Sequence, residues 1–203
     1  MILYNLNYFD FLNSQKNTNN KIYNEIIFQW IKDNPLGNEI SWDPYPTSLR
    51  IVNIIKYLLR TKQTDKRIII SLIFQTRFLY NNIEYHLLGN HIIANAKSLI
   101  FSGLFFHSNE SEDWLKKGKM ILLNEIKEQI LSDGGHFERS PMYHSIILED
   151  LLDIYNLAVF YDINIENHII KKNINQMLNW LFYMSHPDQK LSFFNDTTNN
   201  VSA

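Results

Sequence analysis

Residues 90–106 run N-H-I-I-A-N-A-K-S-L-I-F-S-G-L-F-F, the most apolar stretch of the chain. Asn95, Lys97 and Ser102 interrupt it, so it falls short of the roughly 18 to 20 continuous apolar residues that a membrane span needs. It reads instead as one helix of a folded domain. On both sides of it apolar residues keep recurring at intervals of three and four, while alternating strand-like runs and hairpin turn pairs are scarce. The class is therefore all-α.

Helices are expected over residues 20–32, from Thr47 or Ser48 onward, and over 65–82, 90–106, 112–131, 143–161 and 166–184, joined by short polar breaks. In the first, Ile22, Ile26, Ile27 and Trp30 form the apolar face, and Asn34, Pro35 and Gly37 close it. In the loop S-W-D-P-Y-P-T-S, residues 41–48, two prolines are expected to hold extended backbone, with Thr47 or Ser48 capping a helix that carries Leu49, Val52, Ile55, Leu58 and Leu59. About six or seven helices of three to five turns fit a bundle, an α-solenoid or an α/α toroid. No internal repeat supports the solenoid, and no domain boundary is visible.

With 203 residues, 45% of them hydrophobic and 14% aromatic, the chain can bury a core. Its 19 basic and 21 acidic residues leave a formal net charge of -2, which offers no general attraction for nucleic acid or a membrane surface, so any polyanion must be held by a local patch. Zero cysteines exclude a disulfide framework and thiolate metal sites. The opening M-I-L-Y-N-L-N-Y-F-D-F-L-N-S lacks the basic and continuous apolar regions of a secretory signal.

Two stretches concentrate polar and titratable groups between apolar helices: N-N-I-E-Y-H-L-L-G-N-H-I-I-A-N at 81–95 and D-G-G-H-F-E-R-S-P-M-Y-H at 133–144. In the first, Glu84, His86, Asn90 and His91 surround Gly89, and a helical backbone would put His86 and Asn90 on one face. In the second, a turn at Asp133, Gly134 and Gly135 leads to His136, Glu138, Arg139, Tyr143 and His144. Structural readings stand beside functional ones. Asn90 and His91 fit a helix cap, Tyr143 fits a packed ring with its hydroxyl satisfied, and Glu138 with Arg139 fits a surface ion pair.

The run W-D-P-Y-P-T-S-L-R-I-V-N at 42–53, then E-Y-H-L-L-G-N-H at 84–91 and D-G-G-H-F-E-R-S-P-M-Y-H at 133–144 together resemble the N-terminal helical domain of heparinase II/III-type and alginate lyase-like polysaccharide lyases. The resemblance extends from about Tyr4 to Asp196. It implies one domain over 1–203, an incomplete α/α toroid cut short at its C-terminus, without the β-sandwich domain that follows in such enzymes. That second domain usually adds a further His or Tyr to the site and, in some members, a structural metal. The activity implied is β-elimination of a uronate-containing acidic polysaccharide. Asn90, assisted by His91, would neutralise the uronate carboxylate, and Tyr143 would carry the proton. Trp42, Tyr45, His86, His136, Glu138, Arg139 and His144 complete the candidate substrate-binding set, and no cofactor or metal is expected in this chain. Related lyases are typically periplasmic.

The residue types suit the chemistry. The C5 proton of a uronate is weakly acidic, so charge spreading into the adjacent carboxylate must meet donors already in place, and Asn and His supply them. A tyrosine, ordinarily titrating near ~10, serves as base only where positive charge from Arg139 or a His favours its phenolate; once protonated, the same hydroxyl can act as acid toward the leaving oxygen. Two further readings stay open. A glycoside hydrolase would use two carboxylates among Glu84, Asp133 and Glu138, and a non-catalytic binding domain would stack sugars on Trp42, Tyr45 and Tyr143. The spacings of His86, His91, His136 and His144 match no standard metal-ligand pattern.

Overall fold

The computed structural model describes residues 5–14, 20–38, 40–87, 89–188 and 190–198. Among them, a short 3-10 turn, Asp10–Asn13, precedes seven α-helices: α1 (Asn20–Asp33), α2 (Pro44–Thr61), α3 (Lys66–Asn81), α4 (Gly89–Phe105), α5 (Asn109–Gln129), α6 (Pro141–Phe160) and α7 (Asn167–Met184). The all-α class holds: the only β pairing among the described residues is two isolated bridges, Ile130 with His136 and Ser185 with Leu191.

Local chemistry sets the helix starts. Pro44 and Pro46 do not hold an extended loop as expected. Pro44 is the first residue of α2 behind Asp43, a position where the missing proline N–H has no helical acceptor to lose. Ser48 consequently lies inside the helix, its hydroxyl donating to the Pro44 carbonyl at 2.9 Å. Helix α5 begins at Asn109, ahead of the expected 112, because Ser108 and Ser111 form a reciprocal capping box, which satisfies two otherwise orphaned N–H groups. It stops at Gln129 because Ile130 leaves to bridge His136. Ser140 caps α6 by accepting from the Tyr143 N–H, so the helix starts at Pro141.

The helices form two layers. α2, α4 and α6 lie side by side, with α4 central against α2, α3, α5 and α6. This position explains the composition of residues 90–106: Ile92 to Ser102 and Leu104 are all buried, each large apolar side chain contributing about 1.5–3 kcal/mol. On α1 the buried face is Tyr23, Ile27 and Trp30, while Ile22 and Ile26 are exposed. Ile27 and Trp30 are thus buried as expected, while Tyr23 takes the place expected of Ile22 and Ile26, since apolar residues on several sides of the helix left the sequence two choices.

Buried charge ties the inner layer together. Lys97 of α4 pairs with Asp150 and Asp153 of α6, and Asp153 also takes Lys56 of α2. Burial opposes the charge on Lys97, but the two carboxylates outweigh it and raise its pKa. Arg50 of α2 is fully buried over the Trp30 ring at 3.9 Å, and its guanidinium donates to Gln75 Oε1 (2.8 Å), Thr47 Oγ1 (3.1 Å) and the Asn7 carbonyl (3.2 Å); desolvation pushes its pKa down to about 9. With Asn53 donating to the Tyr8 carbonyl at 2.9 Å, these contacts strap the N-terminal segment along α2. No helix among the described residues is long and apolar enough to cross a membrane.

Candidate functional site

The first turns of the three inner helices adjoin one another. Tyr45 is the second residue of α2, Asn90 and His91 the second and third of α4, and Tyr143 the third of α6. The Asn90 amide donates to the Tyr45 hydroxyl at 3.3 Å. The His91 ring stacks on the Tyr45 ring with centroids 4.2 Å apart and planes 24° from parallel. Tyr143 stands close enough to Tyr45 to act on its ionisation. The strapped N-terminal segment brings Tyr8 edge-on to Tyr45, at 6.0 Å and 86°.

A turn holds this group from beneath. Residues 82–87 are not helical, so the expected alignment of His86 and Asn90 on one helix face does not form. Instead Glu84 is buried, with its carboxylate 3.4 Å from His91 Nδ1. Asn95 fastens Glu84 by accepting from its N–H at 3.0 Å and donating to its Oε2 at 3.4 Å. A cleft of about 730 Å³ opens here, lined by Tyr8, Tyr45, Glu84, His86 and His91 among others. Gly89, at φ +58°, lies under Glu138: a Cβ built there would sit 2.6 Å from Glu138 Oε1. Glu138 thereby reaches the start of α4, and its pKa is raised by burial and by Asp196, against an opposing effect of His91. Burial also raises the Tyr45 phenol well above its ordinary range, helped by Asp150 and Tyr8.

Other expected site residues lie elsewhere. Trp42 is buried in the core, its indole N–H donating to the Asn34 carbonyl at 3.0 Å and its ring packed against Phe78 and Trp30, which leaves no face for a sugar. His136 and His144 have no exposed surface. His136 Nε2 meets Gln129 Oε1 at 2.9 Å, His144 Nε2 meets the Met177 carbonyl at 3.0 Å, and His144 stacks on Trp180. Desolvation pushes His136 down to about 4, with His144 adding to the effect, and burial lowers His144 as well. Arg139 and Asp133 line a second, smaller depression of about 380 Å³ with Trp180, Met184 and Phe194, so Glu84 and Asp133 do not face one cavity. Among the described residues no three of His, Asp and Glu gather in a metal-binding group.

Sequence reasoning missed Tyr8, Asn95 and the Lys97–Asp150 pair. Nothing in the spacing marks Tyr8, which reaches the cleft only through the strap. Asn95 and Lys97 appeared only as interruptions of an apolar helix.

The family model described as Heparinase II/III N-terminus matches residues 9–203. A heparin-sulfate lyase of Pedobacter heparinus is 27% identical over 201 residues, covering 87% of this chain and 29% of that protein. One of Bacteroides stercoris is 32% identical over 133 residues, covering 61% of this chain and 20% of that protein. A crystal structure of heparinase III matches with a TM-score of 0.76 at 24% identity, over 87% of this chain and 30% of that one. The fold is accordingly that of the helical toroid region of those structures, and the chain spans 29% of the length of the Pedobacter relative.

Proposed function

Because the chain belongs to the heparinase II/III N-terminus family, we propose that it forms the helical wall of a lyase active site that cleaves uronate-containing polysaccharide by β-elimination. The observation that carries this reading is the meeting of Asn90 and His91 at the start of α4 with Tyr45 at the start of α2, and with Tyr143 at the start of α6 beside them. Asn90 and His91 donate to the uronate carboxylate, where charge accumulates as the C5 proton departs. Tyr143 takes that proton; the C5 electron pair forms the C4=C5 double bond and the C4–O bond breaks. The same tyrosine then protonates the leaving oxygen. Glu138 and His86 border the sugar, and a β-sandwich domain supplies the facing wall.

The relatives named heparin-sulfate lyase make heparan sulfate the first polymer to try, beside alginate and other uronate polymers. The test is ultraviolet absorbance of the 4,5-unsaturated uronate, with this chain alone and with the full-length polypeptide that carries it. Unsaturated product from the wild type and none from Tyr143→Phe supports the assignment. Reducing ends without absorbance would replace elimination by hydrolysis, and polysaccharide binding without cleavage would make the domain a binding module.

A further inference from the structure

Tyr45 does not offer its ring to a sugar in the way a stacking platform does. His91 covers one face and Tyr8 packs edge-on. Its hydroxyl is the part that meets Asn90 of α4 and stands near Tyr143 of α6. That oxygen accepts from Asn90 Nδ2 at 3.3 Å, and among the described residues no acceptor takes its proton. A phenol that already accepts one hydrogen bond is polarised toward donating another.

Resting on the lyase reading, we infer that the Tyr45 hydroxyl donates a hydrogen bond to the uronate carboxylate, joining Asn90 and His91 as a third donor to the charge formed in the transition state. A carboxylate has two oxygens and about four lone-pair sites, so two donors leave it undersupplied as the C5 electron pair delocalises into it. The geometry admits the third, since Tyr45 touches both of the other donors. Its surroundings keep it a donor: burial, Asp150 and Tyr8 all favour the protonated phenol. Two tyrosines in one site thus divide the work, Tyr143 exchanging its proton with the substrate and Tyr45 retaining its own.

The test is Tyr45→Phe in the full-length polypeptide, assayed on heparan sulfate by ultraviolet absorbance beside wild type and Tyr143→Phe. The phenylalanine ring preserves the packing on His91 and Tyr8 and removes only the hydroxyl. The expected result is a fall in kcat of about 10²- to 10³-fold with KM and melting temperature near those of the wild type. Substrate deuterated at C5 should show a larger primary isotope effect in the variant, because proton removal becomes more fully rate-limiting, and a loss of folded protein would not move that ratio. Wild-type kcat in Tyr45→Phe overturns the inference and leaves the lyase reading standing. A raised KM with unchanged kcat also overturns it, by assigning Tyr45 to ground-state binding. No unsaturated product from the wild type on any uronate polymer overturns the lyase reading, and this inference with it.

Discussion

The Lys97 ammonium lies 2.8 Å from the Asp150 carboxylate, with both side chains almost sealed from solvent. The pair joins α4 to α6 about two turns past Asn90 and Tyr143, and through Asp153 and Lys56 it reaches α2 below Tyr45. Removing one partner leaves an uncompensated buried charge. Lys97→Met should therefore lose about 3–5 kcal/mol of stability, measured by urea unfolding. Lys97→Met combined with Asp150→Asn should lose less than the sum of the two single changes, since the opposing charge goes too.

The buried histidines predict an acid limit. Unfolded, His136 titrates near 6.5, and folded it is pushed down to about 4. Between these values the unfolded chain binds a proton that the folded chain does not, so the contribution to stability is intact above about pH 6.5 and is lost as pH falls toward 4. His144 shifts in the same direction. Urea midpoints at pH 7.5 and 4.5 should show wild type losing on the order of 2 kcal/mol more than His136→Gln over that interval.

Two glycines should respond differently to alanine. At Gly134, φ +88°, a Cβ would fall 2.4 Å from the Gln176 carbonyl oxygen, a backbone atom that has little room to yield. At Gly89, φ +58°, it would meet only the Glu138 carboxylate, the movable end of a side chain. Gly89→Ala should lose about 1–2 kcal/mol from the left-handed backbone alone, and Gly134→Ala should lose clearly more, both read from thermal unfolding. In the activity assay Gly89→Ala should also be impaired, because Glu138 must move from the start of α4.

Trp42 and Tyr45 stand three residues apart with opposite expectations. Trp42→Ala opens a hole in the core and should destabilise by about 3–5 kcal/mol. Measured well below its melting temperature in the full-length polypeptide, that variant should keep the wild-type KM for heparan sulfate, as a residue without a sugar contact must.

Helix number, the all-α class and the clustering of Asn90 and His91 at one helix start were legible in the residue pattern, because apolar periodicity and polar breaks report burial directly. The charged residues of the core were not. Lys97 reads only as an interruption of an apolar run, nothing in the pattern marks Asp150 or Arg50, and only the packing of α2, α4 and α6 shows that each is enclosed with partners. The two prolines of residues 41–48 misled for a related reason: the constraint that breaks a helix in its interior is harmless at its first residue, and sequence alone does not number a helix from its start. His136 and His144 read as site residues because they lie in the polar stretch 133–144 that carries the resemblance. Their neighbours Gln129 and Met177, distant in sequence, are what enclose them.

On the proposed lyase reading, the adjoining starts of α2, α4 and α6 would give a chain with a net charge of -2 a means of holding an acidic polymer. Each helix start carries roughly half a positive elementary charge on its unpaired amides. Three such starts adjoining one another make an electropositive region written in the main chain, invisible to a count of lysines and arginines. On that reading, substitutions among the side chains lining the cleft would change which sugar is accepted, while the main-chain attraction for an anion would remain as long as the helices keep their places.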